Sequence, residues 1–345
     1  MIYVGGVPFS ADDAESSSQG STMLVALMEH PVLVSASSSV KAIPTWKFTI
    51  PEESGSEKSR QSKCVYVFQR EYATVDPAYV DFVGTDEATT CVGLSIRNRT
   101  SGMTSVSHMD SPNVVDIGLT QMLNSVFNEN SDAELDVHLV GGFQDVSPQQ
   151  AGGGSRCKGK LKGYSFPLCA KIVETLQSRG ERFLLQTLHV LGHNTRWDSA
   201  GNACPIFNGF LVETSTGSIF PASFDKTSRC PDEIVRRTRL AACFEDTNLS
   251  GRLLEVYDTQ TDRFIIAPFF WTEHLLYIAS TGEKLSDSEI LLSCSTSPFA
   301  EGPDFVDNER RLWGFLIENP DWRDMFPMEQ PRVFERAESG FWIRQ

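Results

Sequence analysis

Between residues 64 and 145 the apolar positions change period several times, and each change marks an element. Val65, Val67 and Phe68, then Tyr79 to Val83, predict strands, and Val92, Leu94 and Ile96 alternate with Cys91, Gly93 and Ser95 in a third. Met103 to Asp110 predicts a neighbouring strand, joined through the turn-rich Asn98 to Gly102, so a hairpin can bring residues near 91 and 108 side by side. Ile117, Leu119, Met122, Leu123, Val126 and Phe127 recur at three and four, the spacing of a helix with one buried face. Leu135, Val137 and Leu139 then return to alternation and run into Gly141 and Gly142.

Further along, Leu168 to Ser178 predicts an amphipathic helix closed by Gly180. Strands are expected at Phe183 to Val190, Ile206 to Val212, Ser218 to Ser223, Leu253 to Tyr257 and Phe264 to Pro268. Ser286 and Glu289 form a capping-box pattern, and Leu312, Phe315 and Leu316 give helical spacing within Phe305 to Ile317. Residues 1–60 are rich in Ser, Gly and Pro and read as a partly ordered lead-in. Residues 61–345 are then expected to form a single domain, with an insert at about 146–204 that carries Gly152 to Gly154 and Lys158, Lys160 and Lys162.

Composition narrows the function. Of the 345 residues 40% are apolar, enough for a proper core, and 45 acidic against 30 basic residues leave a charge of −15 that disfavours nucleic acid and anionic lipid as partners. No stretch approaches the ~18 apolar residues of a membrane span, since Glu29, His30 and Pro31 interrupt Met23 to Val34. Asp12, Asp13 and Glu15 ahead of that patch argue against a secretory signal, so the chain is expected to stay in the cell. Eight cysteines without a Cys-x-x-Cys pair make a poor zinc or disulfide framework, which leaves scattered thiols and the question of whether one is a nucleophile.

Several motifs have a plain reading. Gly154 to Lys160 nearly spells a phosphate-binding loop, but Leu161 stands where a hydroxyl should ligate magnesium. His189 and His193 lie four apart on an expected strand, without the glutamate of a zinc hydrolase, and read with His30 and His274 as structural or surface histidines. The block from Thr85 to Cys91 is different, because a turn holding Asp86 and Glu87 feeds a strand that starts with a thiol. His108, beside Asp110 on the next strand, offers the base such a thiol needs; the alternative is a half-buried structural Cys91.

Four blocks in order, VFQREYA from Val67 to Ala73, GTDEATTC from Gly84 to Cys91, LDVHLVGGF from Leu135 to Phe143 and STSPFAEGPDFV from Ser295 to Val306, resemble the protein N-terminal asparagine amidohydrolase family. The likeness is dense over 64–145, returns over about 205–318, and is weak before 60 and within 146–204. It implies an enzyme that hydrolyses the side-chain amide of an N-terminal Asn in a protein to Asp, releases ammonia and feeds the arginylation branch of the N-degron pathway, whose machinery would be a downstream partner. It places the nucleophile on Cys91 and the histidine on His108, and it implies no metal and no organic cofactor. Bacterial chemoreceptor glutamine deamidases, distantly similar, share the Cys-to-His interval and a Thr six residues before the Cys, which falls on Thr85. That kinship implies an α+β fold in which two packed β-sheets are flanked by helices.

Selecting a chain's first residue requires reading its α-ammonium, for which a partly desolvated carboxylate is the natural partner; Asp86 and Glu87 are the candidates. Backbone N–H groups between Thr89 and Val92 are candidate oxyanion donors. Two other readings stay open: a protein glutamine deamidase using the same Cys91 and His108, and a non-catalytic reader of N-termini. The expected location is the cytoplasm, with the nucleus also open to it.

Overall fold

The computed structural model describes residues 1–10, 19–49, 62–127, 133–145, 163–337 and 340–345. Among these the chain is mixed α/β, with nineteen strands and eight α-helices. The largest sheet has eight strands in the order β15 (Leu254–Glu255), β5 (Glu71–Val75), β8 (Thr104–Met109), β7 (Val92–Asn98), β9 (Glu134–Phe143), β10 (Arg182–Leu191), β1 (Ile2–Val4) and β2 (Val7–Pro8). A second sheet of five runs β3 (Trp46–Phe48), β14 (Ile219–Phe224), β13 (Phe210–Glu213), β6 (Phe82–Thr85), β4 (Cys64–Tyr66). A small hairpin, β11 (Thr195–Trp197) with β12 (Ala203–Pro205), and a four-stranded sheet, β16 (Tyr257–Asp258), β17 (Arg263–Ile266), β18 (Arg332–Arg336) and β19 (Trp342–Arg344), complete the strands.

The expected hairpin is β7 with β8, paired antiparallel with Gly93 opposite His108 and Val92 opposite Met109. Its turn is built by Asn98, whose side-chain carbonyl accepts from the N–H of Thr100 at 2.9 Å and of Ser101 at 3.2 Å, and by Gly102 at φ +78°. Val92, Leu94 and Ile96 pack into one core with Leu119 and Met122 of helix α3 (Val115–Val126) and Ile172 of α4 (Ser165–Ser178). The alternate positions of β7 do not meet water, as a half-buried strand would; they face the five-stranded sheet. A Cβ on Gly93 would fall 2.3 Å from Cε1 of Phe210 and 3.2 Å from Cγ2 of Thr85, so only glycine allows the two sheets to approach there. A second core joins the strands to α5 (Glu233–Cys243), α6 (Glu273–Gly282) and α8 (Phe305–Glu318) through residues such as Val235, Leu275 and Leu312. The capping box of Ser286 and Glu289 is present and opens α7 (Asp287–Cys294).

Two parts of the chain are built in more firmly than their composition suggests. Strand β1 pairs parallel with β10, and α1 (Gln19–Glu29) and α2 (Pro31–Lys41) bury Leu24, Leu27 and Leu33 in the first core, so the described residues ahead of 50 are structural rather than a lead-in alone. Within 146–204, α4 and β10 are core elements; β10 lies between β9 and β1 in the main sheet. The Gly- and Lys-rich stretch and the near phosphate loop at 154–160 lie outside the described residues. No single helix among the described residues is long and apolar enough to cross a membrane, and α1 and α2 meet at a 67° bend where Pro31 opens the second.

Candidate active site

Cys91 is the residue immediately before β7, and its carbonyl oxygen lies 2.8 Å from where a Cβ on Gly141 would sit. Gly141 at φ +116° and Gly142 at φ +53° let β9 pass beneath the Cys91 backbone, which accounts for the glycine pair that ends the alternation of that strand. Thr90 Oγ1 lies 2.8 Å from Thr296 Oγ1, which ties the Thr85–Cys91 block to the block that follows α7.

His108 lies opposite Gly93, and Cys91 stands one residue outside β7, two residues from Gly93 on the same hairpin. Thr85, from the facing sheet, places Oγ1 2.8 Å from Nδ1 of His108, and its hydroxyl donates to the Asp86 carbonyl at 3.5 Å. Nε2 of His108 is buried and makes no hydrogen bond among the described residues. Thr85 and His108 are therefore brought together from one hairpin and one strand of the opposing sheet, with Cys91 at the end of the same hairpin.

Burial dominates the electrostatics. It pushes the Cys91 thiol well up; Asp110 and Glu301 add to that effect, and Arg70 and the Thr90 hydroxyl oppose it. It lowers His108 to about 4, against the pull of Asp110 and Glu71. Without substrate the couple is thus a neutral thiol beside a neutral imidazole.

Cys91 opens onto a cavity of about 770 Å³. Asp86 and Glu87 line it, yet both are already held. Asp86 accepts from the Tyr66 hydroxyl at 2.8 Å, the Phe224 N–H at 2.8 Å and Arg229 Nη2 at 3.0 Å. Glu87, at a left-handed φ of +60°, accepts from Arg237 Nη2 at 3.0 Å on both oxygens and pairs with Arg229 at 2.6 Å. Burial still raises the Glu87 carboxyl, with the two arginines opposing.

Sequence reasoning did not single out Arg229, Arg237, Glu301 or Glu309. Glu301 accepts from the hydroxyls of Ser295 and Ser297, and among the described residues it has no arginine or lysine in an ion pair. Burial raises its carboxyl. Glu309 on α8 is pushed up to about 7, first by burial and then by Glu301 and Glu87, against Arg237. The signal for Glu301 was present in the Ser-x-Ser-x-x-x-Glu spacing from Ser295, whereas the arginines come from a stretch with no distinguishing pattern. The rest of the cavity wall is mixed, with apolar Phe244, Leu275 and Ile278 beside polar residues such as Gln69, Asn208 and Asn308.

Among the described residues no group of three or more His, Cys, Asp or Glu side chains could hold a metal ion. His189 is buried in β10 with Nδ1 2.7 Å from Ser37 Oγ, and His193 places Nδ1 2.9 Å from the Leu188 carbonyl.

The family described as protein N-terminal asparagine amidohydrolase matches residues 54–344, which includes the 146–204 stretch. Among curated proteins, one from Arabidopsis thaliana named protein N-terminal asparagine amidohydrolase is 59% identical over 346 residues, covering 99% of each chain. Proteins of the same name from Mus musculus and Homo sapiens are 30% and 29% identical, each covering 81% of this chain and 83% of its own length. With the match running through both sheets and all the cavity walls, the chain belongs to the protein N-terminal asparagine amidohydrolase family.

Proposed function

We propose that this chain hydrolyses the side-chain amide of an N-terminal Asn to Asp, with Cys91 as nucleophile and His108 as the proton carrier oriented by Thr85. The observation that carries the mechanism is the imidazole pinned through Nδ1 at 2.8 Å on the hairpin that leads into Cys91; in this reading Nδ1 is the donor and the buried, unbonded Nε2 is the free lone pair. Nε2 takes the thiol proton as sulfur attacks the amide carbon. The imidazolium then protonates the departing nitrogen, so ammonia leaves and a thioester remains. Water gives a proton to Nε2 and adds to the thioester; collapse returns the thiol and releases the carboxylate. Because substrate-free Cys91 and His108 are both neutral, the proton moves during attack rather than before it.

Ala88 N–H is committed to the Asn208 carbonyl at 2.7 Å and Thr89 N–H to that of Glu87 at 3.1 Å, which leaves the N–H groups of Thr90 and Cys91 as the oxyanion donors. The substrate's α-ammonium docks on Glu301, whose present donors are two neutral hydroxyls. Asp86 and Glu87 shape the pocket through the Arg229 and Arg237 clamp instead of meeting the ammonium themselves. The product's N-terminal Asp is the class of residue on which arginylation acts, in the cytoplasm and the nucleus. The facing sheets support a distant kinship with cysteine deamidases, and residues 61–345 act as one catalytic unit whose main sheet the N-terminal strands complete.

Ammonia release from Asn-led and Gln-led peptides is the test. Asn-led peptide is turned over and Gln-led peptide is not, and Cys91→Ala lowers turnover by at least about 10³-fold while still binding the Asn-led peptide. Activity surviving in Cys91→Ala removes the nucleophile assignment.

A further inference from the structure

We propose that the buried Arg70–Asp110 ion pair is a positioning device that fixes the charge facing Cys91 and His108, an inference that rests on the roles given to those two residues above. Cys91 and Asp110 each stand one residue past the last β7–β8 pair, Val92 with Met109, at the same end of the hairpin. Asp110 is the carboxylate whose charge bears most on the sulfur. A lone carboxylate in that place would oppose formation of a thiolate. Arg70 answers it with two bonds, Nε at 2.9 Å and Nη2 at 3.3 Å, and both side chains are more than nine-tenths buried.

Arg70 reaches this position at a backbone cost, with φ at +64° in a residue that is not glycine. Its own N–H donates to the carbonyl of His108 at 2.9 Å, so one residue grips the base through the main chain and the acid through the side chain. The ring of Phe244, on the cavity wall, covers the guanidinium at 4.9 Å. The effect is asymmetric: Asp110 supports a proton on His108, while at Cys91 Arg70 offsets Asp110. The pair strengthens the base without placing its full negative charge on the nucleophile.

The other groups around the couple are accounted for. Glu301, from the loop after α7, and the Thr90 hydroxyl face Cys91. Glu71 of β5 faces His108 but is held by Arg236 and Arg239 of α5, and Cys243 of the same helix faces Arg70 and Asp110.

The test follows the pH dependence of Cys91 alkylation by iodoacetamide, read by mass spectrometry of the Cys91 peptide, alongside kcat and KM for an Asn-led peptide. Arg70→Gln is expected to move the alkylation profile to higher pH by about one unit, a tenfold slower reaction at a fixed lower pH. Asp110→Asn is expected to move it to lower pH while kcat falls about tenfold at little change in KM. Arg70→Lys keeps the charge and holds the profile near wild type. Profiles that stay still, or that move in the same direction in Arg70→Gln and Asp110→Asn, overturn the proposal, because a purely structural pair has no sign.

Where thermal melting shows that a single variant does not fold, the double exchange R70Q/D110N strands no charge. It removes Asp110's support of a proton on His108, so kcat is expected to fall about tenfold with KM little changed, and an unchanged kcat overturns the proposal. Turnover by Cys91→Ala counts against the nucleophile itself; unmoved profiles with an inactive Cys91→Ala count against the pair alone.

Discussion

Among the described residues three buried histidines place Nδ1 against a hydroxyl: His108 with Thr85 at 2.8 Å, His189 with Ser37 at 2.7 Å and His138 with Thr187 at 3.1 Å. Burial lowers all three to about 4, and in His108 and His189 the buried Nε2 has no protein partner. By local chemistry His108 and His189 are nearly the same object. The surroundings separate them. His108 sits on the hairpin that leads into Cys91, whose thiol opens onto a cavity, and Asp110 and Glu71 favour its protonated form. His189 packs against the Phe207 ring with centroids 5.3 Å apart, and His193 and Lys41 disfavour its protonation. A hydroxyl-pinned imidazole is therefore a common packing solution, and chemistry begins where a carboxylate field and a nucleophile are added.

Exchanging the two histidines' fates is the sharpest check. His108→Ala is expected to lower kcat for an Asn-led peptide by about 10²–10⁴-fold. His189→Ala, at a cost of about 1–3 kcal/mol in stability by denaturant titration, leaves kcat per folded molecule within about twofold. An equal loss of kcat from both would collapse the distinction. One step out, Thr85→Val keeps the volume but removes the acceptor of Nδ1–H, and kcat should drop about 10–100-fold with partial return in Thr85→Ser. Ser37→Ala, its counterpart, should leave kcat alone.

The smallest effect treats the three histidines as equals. Each has a folded value of about 4 against 6.5 for an unperturbed imidazole, so unfolding takes up protons below pH 6.5. Their contribution to stability is complete above 6.5 and is lost as pH falls towards about 4. The melting temperature should decline over that window, and His189→Ala should flatten the slope by one proton's share. A slope unchanged in that variant would show that His189 is charged in the fold.

How much of this could be read from the chain alone depends on distance along it. The hairpin of β7 and β8 was legible because a tight turn at Asn98 to Gly102 sets its pairing locally. Thr85 entered only by analogy, since its contact with His108 crosses from one sheet to another and leaves no periodic trace. The arginines on Asp86 and Glu87 come from about 140–150 positions away, and a carboxylate's partner at that range is invisible to local pattern; that is why those two acids read as free. Strand β1 was missed for a related reason. Three residues are too few to show alternation, and the strand exists because β10 offers an edge.

The hydroxyl contact between Thr90 and Thr296 spans 206 positions, and it has a bearing on biosynthesis. In the order of synthesis Cys91 and His108 both precede by far the segment that carries Glu301. On the roles proposed above, a chain cut short before residue 295 would carry the thiol and the imidazole without the wall meant to hold the substrate.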